Sequence, residues 1–146
     1  MQTSPYESPA TAEDAVLGTL MALGRRMRQR MPEDTLDFSV VPVLKVLSGC
    51  GPLRLSALAE ALELDASTVS RHVKQLEDRG FLGRTIDPDD GRASRIEVTD
   101  DGRRALAGHI DRRKALLTEA LGDWSPADRE QLRTLLDRFN RRMLTS

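Results

Sequence analysis

The chain has 146 residues with 22 Lys and Arg against 23 Asp and Glu, and its formal net charge of -1 excludes a globally basic DNA-packaging protein but not a local basic face. Aromatic residues make up only 3%, which argues against β-sandwiches, barrels and stacking platforms for single-stranded nucleic acid. One cysteine and two histidines exclude a disulfide framework and a multi-cysteine metal site, so no cofactor or metal is expected.

The sequence shows no signal for a membrane or for secretion. No apolar run approaches the ~20 residues that cross a bilayer, and residues 1–10 have no basic stretch that leads into an apolar one. We therefore expect a cytoplasmic protein with no membrane partner. Pro5 and Pro9 indicate a flexible tail over residues 1–10. Cys50 is expected to be a small buried or half-buried side chain, and a redox role for it stays open.

Two amphipathic helices are predicted first. Apolar residues at spacings of three and four predict a helix from Thr11 to Met31, which Pro32 ends. A second helix is predicted over residues 39–48, after which two glycines and a proline break the chain. The apolar stripe of the first helix consists of Val16, Leu20, Leu23, Met27 and Met31.

A short helix, a tight turn and a longer helix are predicted next. Residues 53–55 are expected to be extended, with Ser56 as the N-cap of a helix over residues 57–62. Asp65 is expected to cap a helix over residues 66–79, and Gly80 to end it in the position that favours glycine.

A β-hairpin and two further helices complete the chain. Segments 81–86 and 95–98 flank a polar, turn-rich stretch, which predicts a hairpin with a long polar tip. Thr99 is expected to begin a long helix that Gly122 ends, and Ser125-Pro-Ala-Asp predicts the start of the last helix. The apolar face of the last helix consists of Leu132, Leu135, Leu136, Phe139 and Met143.

The helix over residues 66–79 has two opposite faces. Val69, Val73 and Leu76 share one face and are expected to be buried. The other face is hydroxyl-rich and basic, as in the second helix of a helix-turn-helix, which contacts base edges and phosphates. We therefore assign DNA contacts to Ser67, Thr68, Ser70, Arg71, Lys74 and Gln75. The alternative is the solvated polar face of an ordinary amphipathic helix.

The hairpin is predicted to act as a wing. Its loop has no apolar residue to bury over residues 87–91, and an arginine near such a tip can reach the minor groove. We assign DNA contacts to Arg84, Arg92 and Arg95, with Arg92 pointing outward. Three aspartates balance these charges, and Asp90 joins the site to orient an arginine or hold the turn. The alternative is a type I turn with solvated charges.

Five stretches of the sequence together resemble one family. They are Leu55-Ser-Ala-Leu-Ala-Glu-Ala-Leu, Ser67-Thr-Val-Ser-Arg, Leu76-Glu-Asp-Arg-Gly-Phe-Leu, Asp87-Pro-Asp-Asp-Gly-Arg and Val98-Thr-Asp-Asp-Gly. In order and spacing the chain resembles the MarR family of transcriptional regulators over about residues 11–144. Gly91 departs from the basic residue that the family often has there, which weakens wing contacts or makes the tip more mobile.

The resemblance implies a mostly α fold with a small β-hairpin wing. It implies a flexible tail over residues 1–10, a dimerisation helix over 11–32, a winged helix-turn-helix lobe over 36–99 and C-terminal dimerisation helices over 100–146. The apolar stripes at the two chain ends agree independently, because they stay exposed unless helices of two chains cover them. The alternative is packing of these helices within one chain.

The function that the resemblance implies is sequence-specific regulation of transcription. The chain is expected to bind double-stranded DNA as a homodimer on a pseudo-palindromic operator and to act as a repressor. No catalytic constellation stands out in the sequence, so no enzyme is expected. The alternative is a winged-helix module for protein–protein assembly without specific DNA binding.

A small-molecule effector is the last expectation. The relatives place a ligand cleft between the dimer helices and the winged-helix lobe. In this sequence the cleft corresponds to Met27, Phe38, Val41 and Leu44, for which ordinary core packing is the alternative. Arginines near these positions favour an aromatic or amphipathic anion as the ligand.

Overall fold

The computed structural model describes residues 7–145, which form a mostly helical fold with one two-stranded antiparallel hairpin. The elements are α1 (Ala12–Arg28), a 3₁₀ turn (Phe38–Val40), α2 (Val41–Cys50), α3 (Leu55–Leu62), α4 (Ala66–Asp78), β1 (Leu82–Ile86), β2 (Ser94–Val98), α5 (Asp100–Ala120) and α6 (Pro126–Leu144). The predicted fold class is confirmed. The first six residues of the predicted tail, and Ser146, lie outside the described residues.

The chain divides into two compact units at a boundary between His109 and Ile110, inside α5. The first unit holds the helix-turn-helix and the hairpin, and the second holds the end of α5 and all of α6. The sequence-based division into a lobe and flanking dimerisation helices stays a prediction. None of the helices within residues 7–145 is long and apolar enough to cross a membrane.

The first unit is built around a core of aliphatic side chains. Val69, Val73 and Leu76 of α4 are buried as predicted. The 3₁₀ turn, α2, α3, β1 and β2 contribute most of the other buried side chains of this core. Full burial of such a side chain stabilises the fold by about 1.5–3 kcal/mol. The other apolar residues that are fully or almost fully buried are Leu36, Val40, Val43, Leu44, Leu47, Leu58, Leu82, Ile96 and Val98.

The first helix ends earlier than its apolar periodicity predicts. It stops at Arg28, because Gln29 already adopts extended backbone angles. The backbone N–H of Met31 then donates to the carboxylate of Asp34 at 2.9 Å, so Met31 opens a turn instead of continuing the helix. The predicted end at Met31 was therefore wrong by three residues.

Two further predictions around α2 and α3 were wrong. Ser56 is not the N-cap: α3 begins at Leu55 after Arg54, whose side chain caps nothing. The reason is that Leu53 exchanges two backbone hydrogen bonds with Ile96, at 3.1 and 2.8 Å, and the chain enters the helix directly afterwards. Cys50 is exposed, because it lies at the very end of α2, where the chain turns away at Gly51.

The remaining caps follow the sequence. Asp65 accepts a hydrogen bond from the backbone N–H of Thr68 at 2.8 Å, and Gly80 has a positive φ of 78° after α4. Ser125 accepts from the backbone N–H of Asp128 at 3.1 Å at the start of α6. These three predictions are confirmed.

The hairpin pairs Leu82 with Val98 and Ile86 with Ser94. Alternation places Leu82, Ile96 and Val98 on one face of the hairpin, where they are buried. Ile86 has the same parity as Leu82 but is the last residue of β1, next to the loop, and is exposed. The bridge from Leu53 to Ile96 adds a short third segment on the free side of β2. The loop of residues 87–93 together with β1 and β2 is called the wing below.

The passage from the wing into α5 lies against the turn that follows α4. Thr99 donates through Oγ1 to the carbonyl of Gly80 at 2.6 Å, and it also accepts from the backbone N–H of Gly102 at 3.0 Å. A Cβ atom on Gly102 would overlap the carbonyl oxygen of Phe81 and lie 2.9 Å from Cγ1 of Val98. Only glycine therefore permits this close approach.

We predict that Gly102→Ala destabilises the protein by about 1–3 kcal/mol, because the added methyl forces the first turn of α5 away from the Phe81 carbonyl. Urea unfolding followed by circular dichroism measures the change. The matched control is Gly49→Ala in α2, where nothing lies within 4 Å of the added Cβ and helix propensity favours alanine by about 0.5–1 kcal/mol. Equal stability of Gly102→Ala and wild type would contradict the prediction.

Candidate nucleic-acid interface

The outer face of α4 carries the polar side chains that the sequence assigned to DNA. Burial of Val69 and Val73 fixes the rotation of the helix about its own axis. The opposite side chains therefore point to solvent, with Thr68 half-buried. The exposed members of the set are Ser67, Ser70, Arg71, Lys74 and Gln75.

The hydroxyl groups at the start of α4 are held by the capping carboxylate. Ser67 Oγ donates to Asp65, and Thr68 Oγ1 donates to its other carboxylate oxygen at 2.7 Å. These bonds, with that of Ser67 the strongest, hold the pKa of Asp65 well below its usual range. Both hydroxyl protons are thus directed at Asp65, while the hydroxyl oxygens can still accept from a base.

The longer side chains of the face differ in how firmly they are held. Among the residues that the structure describes, Arg71 makes only a long 3.4 Å contact with Thr68 Oγ1, and Lys74 lies 3.5 Å from Asp78 in an exposed pair. Gln75 donates through Nε2 to Asp37 at 3.1 Å, so it must leave this partner to read a base. Arg71 and Lys74 are therefore the side chains of α4 most available to a duplex.

The wing arginines fall into two groups. Arg84 donates to Glu77 at 2.6 Å, and Arg95 donates to the carboxylates of Asp87 and Asp89. Arg92 is exposed at the tip, and its guanidinium has no carboxylate partner among the residues that the structure describes. Arg92 is thus the wing cation most available for a phosphate or the minor groove.

Asp90 holds the turn at the tip of the wing. Its carboxylate accepts from the backbone N–H of Arg92 at 3.0 Å, and its carbonyl accepts from the backbone N–H of Ala93 at 3.0 Å. These local bonds fix the backbone of Gly91 and Arg92 without using the Arg92 side chain.

Sequence reasoning missed one residue of this region. Arg54, just before α3, donates through Nε to the buried carboxylate of Asp87 at 2.5 Å. This bond, followed by the bond from the backbone N–H of Asp89, lowers the pKa of Asp87 well below its usual range. Because 33 positions separate the partners, no local periodicity or spacing could have paired them. Exposed Ile86, beside Asp87, was also not singled out.

The four residues assigned to an effector cleft lie in different surroundings. Leu44 and Val41 are buried in the core of the first unit, Met27 is half-buried, and Phe38 is exposed. Leu44 can line a cavity only if its neighbours move. The effector site therefore stays a prediction.

Residues 7–145 contain no group of three or more His, Cys, Asp or Glu side chains that could hold a metal ion.

Comparison with known proteins identifies the family. A sequence model of the MarR family matches residues 41–94, from α2 to the wing. The HTH-type transcriptional regulator YxaD of Bacillus subtilis is 35% identical over 106 residues, which cover 73% of this chain and 74% of YxaD.

Solved structures agree on the fold. A MarR family protein from Bacillus stearothermophilus superposes with a TM-score of 0.80 at 21% identity, covering 90% of this chain and 92% of that one. A variant of MepR from S. aureus, bound to an oligodeoxyribonucleotide, superposes with a TM-score of 0.67 at 18% identity, covering 91% and 98%. The helix-turn-helix, the wing and these similarities together show that the chain belongs to the MarR family of DNA-binding transcriptional regulators.

Proposed function

We propose that this regulator binds a pseudo-palindromic operator as a homodimer and represses transcription. The observation that carries the proposal is the placement of available cations on one winged-helix lobe. Arg71 and Lys74 stand on the exposed face of α4, and Arg92 stands at the tip of the wing.

Each of these cations has a distinct role in the proposal. The planar guanidinium of Arg71 can pair with a guanine edge in the major groove through two hydrogen bonds. Lys74, a point charge, neutralises a phosphate, and Arg92 enters the minor groove. The S. aureus MepR variant shares the fold and was solved with an oligodeoxyribonucleotide, which supports the same use of the lobe here.

The remaining assigned residues have supporting roles in the proposal. Arg84 and Arg95 keep part of their surface exposed while their guanidinium groups bind carboxylates of the lobe. Because carboxylates balance the charges of these two arginines, we expect the arginines to contact the duplex only through the exposed part of their side chains. The other assigned residues of α4 accept or donate hydrogen bonds to the duplex through their hydroxyl and amide groups once the helix is docked. These residues are Ser67, Thr68, Ser70 and Gln75.

We predict that Arg71→Ala and Arg92→Ala each weaken operator binding by about 1–3 kcal/mol with little change in melting temperature. The probe is the duplex that the wild-type protein enriches from random-sequence DNA, and fluorescence anisotropy gives the affinity. Arg133→Ala in α6 is the charge-matched control, because Arg133 lies outside the lobe in an exposed pair with Glu130.

Two results would count against the DNA-reading assignment. One is unchanged affinity in both lobe variants. The other is a wild-type protein that enriches no duplex and is not retained on heparin, which would favour a winged-helix module for protein–protein assembly instead.

Dimerisation is proposed from two helices that contain no fully buried residue. In the first unit, α1 contains no buried residue, and Leu17, Leu20 and Met21 on one side of it are exposed by 60–66%. In the second unit, α6 likewise contains no buried residue. Apolar faces of this kind on a monomer mark association surfaces. The exposed apolar residues of α6 are Leu135, Leu136, Phe139, Met143 and Leu144.

We predict that the full chain sediments at micromolar concentration as a dimer and that Phe139→Glu makes it monomeric, since a carboxylate cannot be buried unpaired in an apolar interface. Removal of residues 1–31 is expected to give a monomer or an insoluble protein. Analytical ultracentrifugation measures both, with Arg133→Ala as the surface control. A full-length protein that is a well-behaved monomer would refute the dimer.

Repression and its release follow from the geometry of a dimer. Two recognition helices must lie about one duplex turn, ~34 Å, apart to dock together. A ligand that binds the arrangement with another spacing more tightly shifts the population away from DNA. Occupation of an operator that overlaps a promoter blocks transcription without any further contact.

We predict that some aromatic carboxylates weaken operator binding while the dimer stays intact, and that they raise transcription from an operator-linked reporter. A panel of such compounds is tested by anisotropy and by sedimentation, with aliphatic carboxylates of similar size as the control. If no compound changes the melting temperature or the operator affinity, the ligand switch is wrong and control rests on protein abundance.

A further inference from the structure

The carboxylate of Asp87 lies at the root of the wing loop and is fully buried. Its Oδ2 accepts from Arg54 Nε at 2.5 Å and from Arg95 Nε at 3.1 Å. Its Oδ1 accepts from Arg95 Nη2 at 3.3 Å and from the backbone N–H of Asp89 at 2.8 Å. Two guanidinium groups therefore bind one buried carboxylate. We call this set of Asp87, Arg54 and Arg95 the Asp87 clamp.

The wing loop has little else to hold it. A two-stranded hairpin is marginal by itself in water, and residues 88–92 of the loop are all exposed. The hydrogen bonds at the tip, from Arg92 to Asp90 and from Ala93 to Asp90, tie the loop only to itself. The orientation of the loop relative to the helices must come from its root.

Arg54 connects that root to the helix-turn-helix. Among the donors to Asp87, Arg95 and Asp89 belong to the wing itself, whereas Arg54 belongs to the entry of α3. Leu53, the residue before it, is fixed by its backbone pairing with Ile96. This pairing fixes the backbone at Arg54. The Arg54 side chain, which is 44% exposed, then links this fixed backbone to the wing through its bond with Asp87.

We propose that Arg54 is a positioning residue for DNA binding, which holds the wing through Asp87 in the orientation where Arg92 reaches the duplex. The proposal rests on the proposed use of the wing in operator binding. Arg54 acts through Arg92 and makes no base contact of its own. The ionised Asp87 that this requires fits its low pKa, which keeps the carboxylate charged at neutral pH.

A double-mutant cycle tests the proposal. The variants are Arg54→Ala, Arg92→Ala and the double variant, measured on the duplex that the wild-type protein enriches from random-sequence DNA. We expect each single variant to weaken DNA binding about tenfold. In the Arg92→Ala background, we expect Arg54→Ala to change the affinity by less than about twofold, because the Arg92 contact that Arg54 positions is already absent. Arg133→Ala is the charge-matched control.

Additive losses in the cycle would overturn the proposal. The slope of the logarithm of affinity against the logarithm of salt concentration gives the number of phosphate contacts. If the double variant has about two contacts fewer than wild type by this measure, Arg54 itself binds the DNA backbone. An Arg54→Ala variant that binds like wild type would overturn it as well, because the wing then needs no clamp. If Arg54→Ala also loosens α4, the loss of binding reflects a general folding role and the proposal is overturned, even when the cycle is non-additive.

Amide hydrogen exchange on the free protein supplies a readout that does not depend on DNA. We expect faster exchange at residues 89–93 in Arg54→Ala, with protection of residues 69–76 unchanged. Arg54→Gln, which keeps an amide donor but no charge, is the second variant should alanine fail to fold. If the wild type enriches no duplex, the proposed function fails, while the exchange data still decide whether Arg54 holds the wing.

Discussion

Burial of the apolar face of α4 is the constraint on which the interface depends. Val69, Val73 and Leu76 are inaccessible to solvent, and rotation of the helix by even one residue would exchange them for hydroxyl or charged groups. Burial of an unpaired charge costs far more than exposure of a methyl group, so only one rotation is stable. The same packing that stabilises the lobe therefore aims Arg71 and Lys74 outward.

The wing is held by a different physical interaction. Its strands contribute Leu82, Ile96 and Val98 to the core, but the loop beyond them contributes no buried apolar side chain, and its place is taken by the Asp87 clamp. A buried carboxylate is tolerated only with charged and amide donors around it, and these donors are strongly directional. In one lobe, apolar packing thus orients α4 and the strands of the wing, whereas the loop of the wing is held by electrostatics.

The sequence predicted what is encoded locally. The faces of α4 follow from periodicity, and the caps Asp65 and Ser125 follow from side chains that bond amides three residues away. The cap expected at Ser56 failed because a distant partner competes: Leu53 pairs with Ile96, and the chain enters α3 directly afterwards. The same holds for the site, where residue type identified Arg84 and Arg95 but not the carboxylates that hold them. Arg54 was missed altogether, because its partner Asp87 lies 33 positions away.

The charge pattern of the lobe has a consequence for how it binds DNA. Three of its cations, Arg54, Arg84 and Arg95, are already paired with carboxylates, and the chain as a whole has a formal net charge of -1, so we expect its non-specific attraction to phosphates to be weak. In the proposed operator complex each lobe meets its half-site mainly through Arg71, Lys74 and Arg92, so we expect a single lobe to bind weakly by itself. Linking two such lobes makes the second contact intramolecular and multiplies the affinity, provided that the spacing fits. In the proposed dimer, the distance between the two lobes therefore controls operator occupancy more than the affinity of either lobe does.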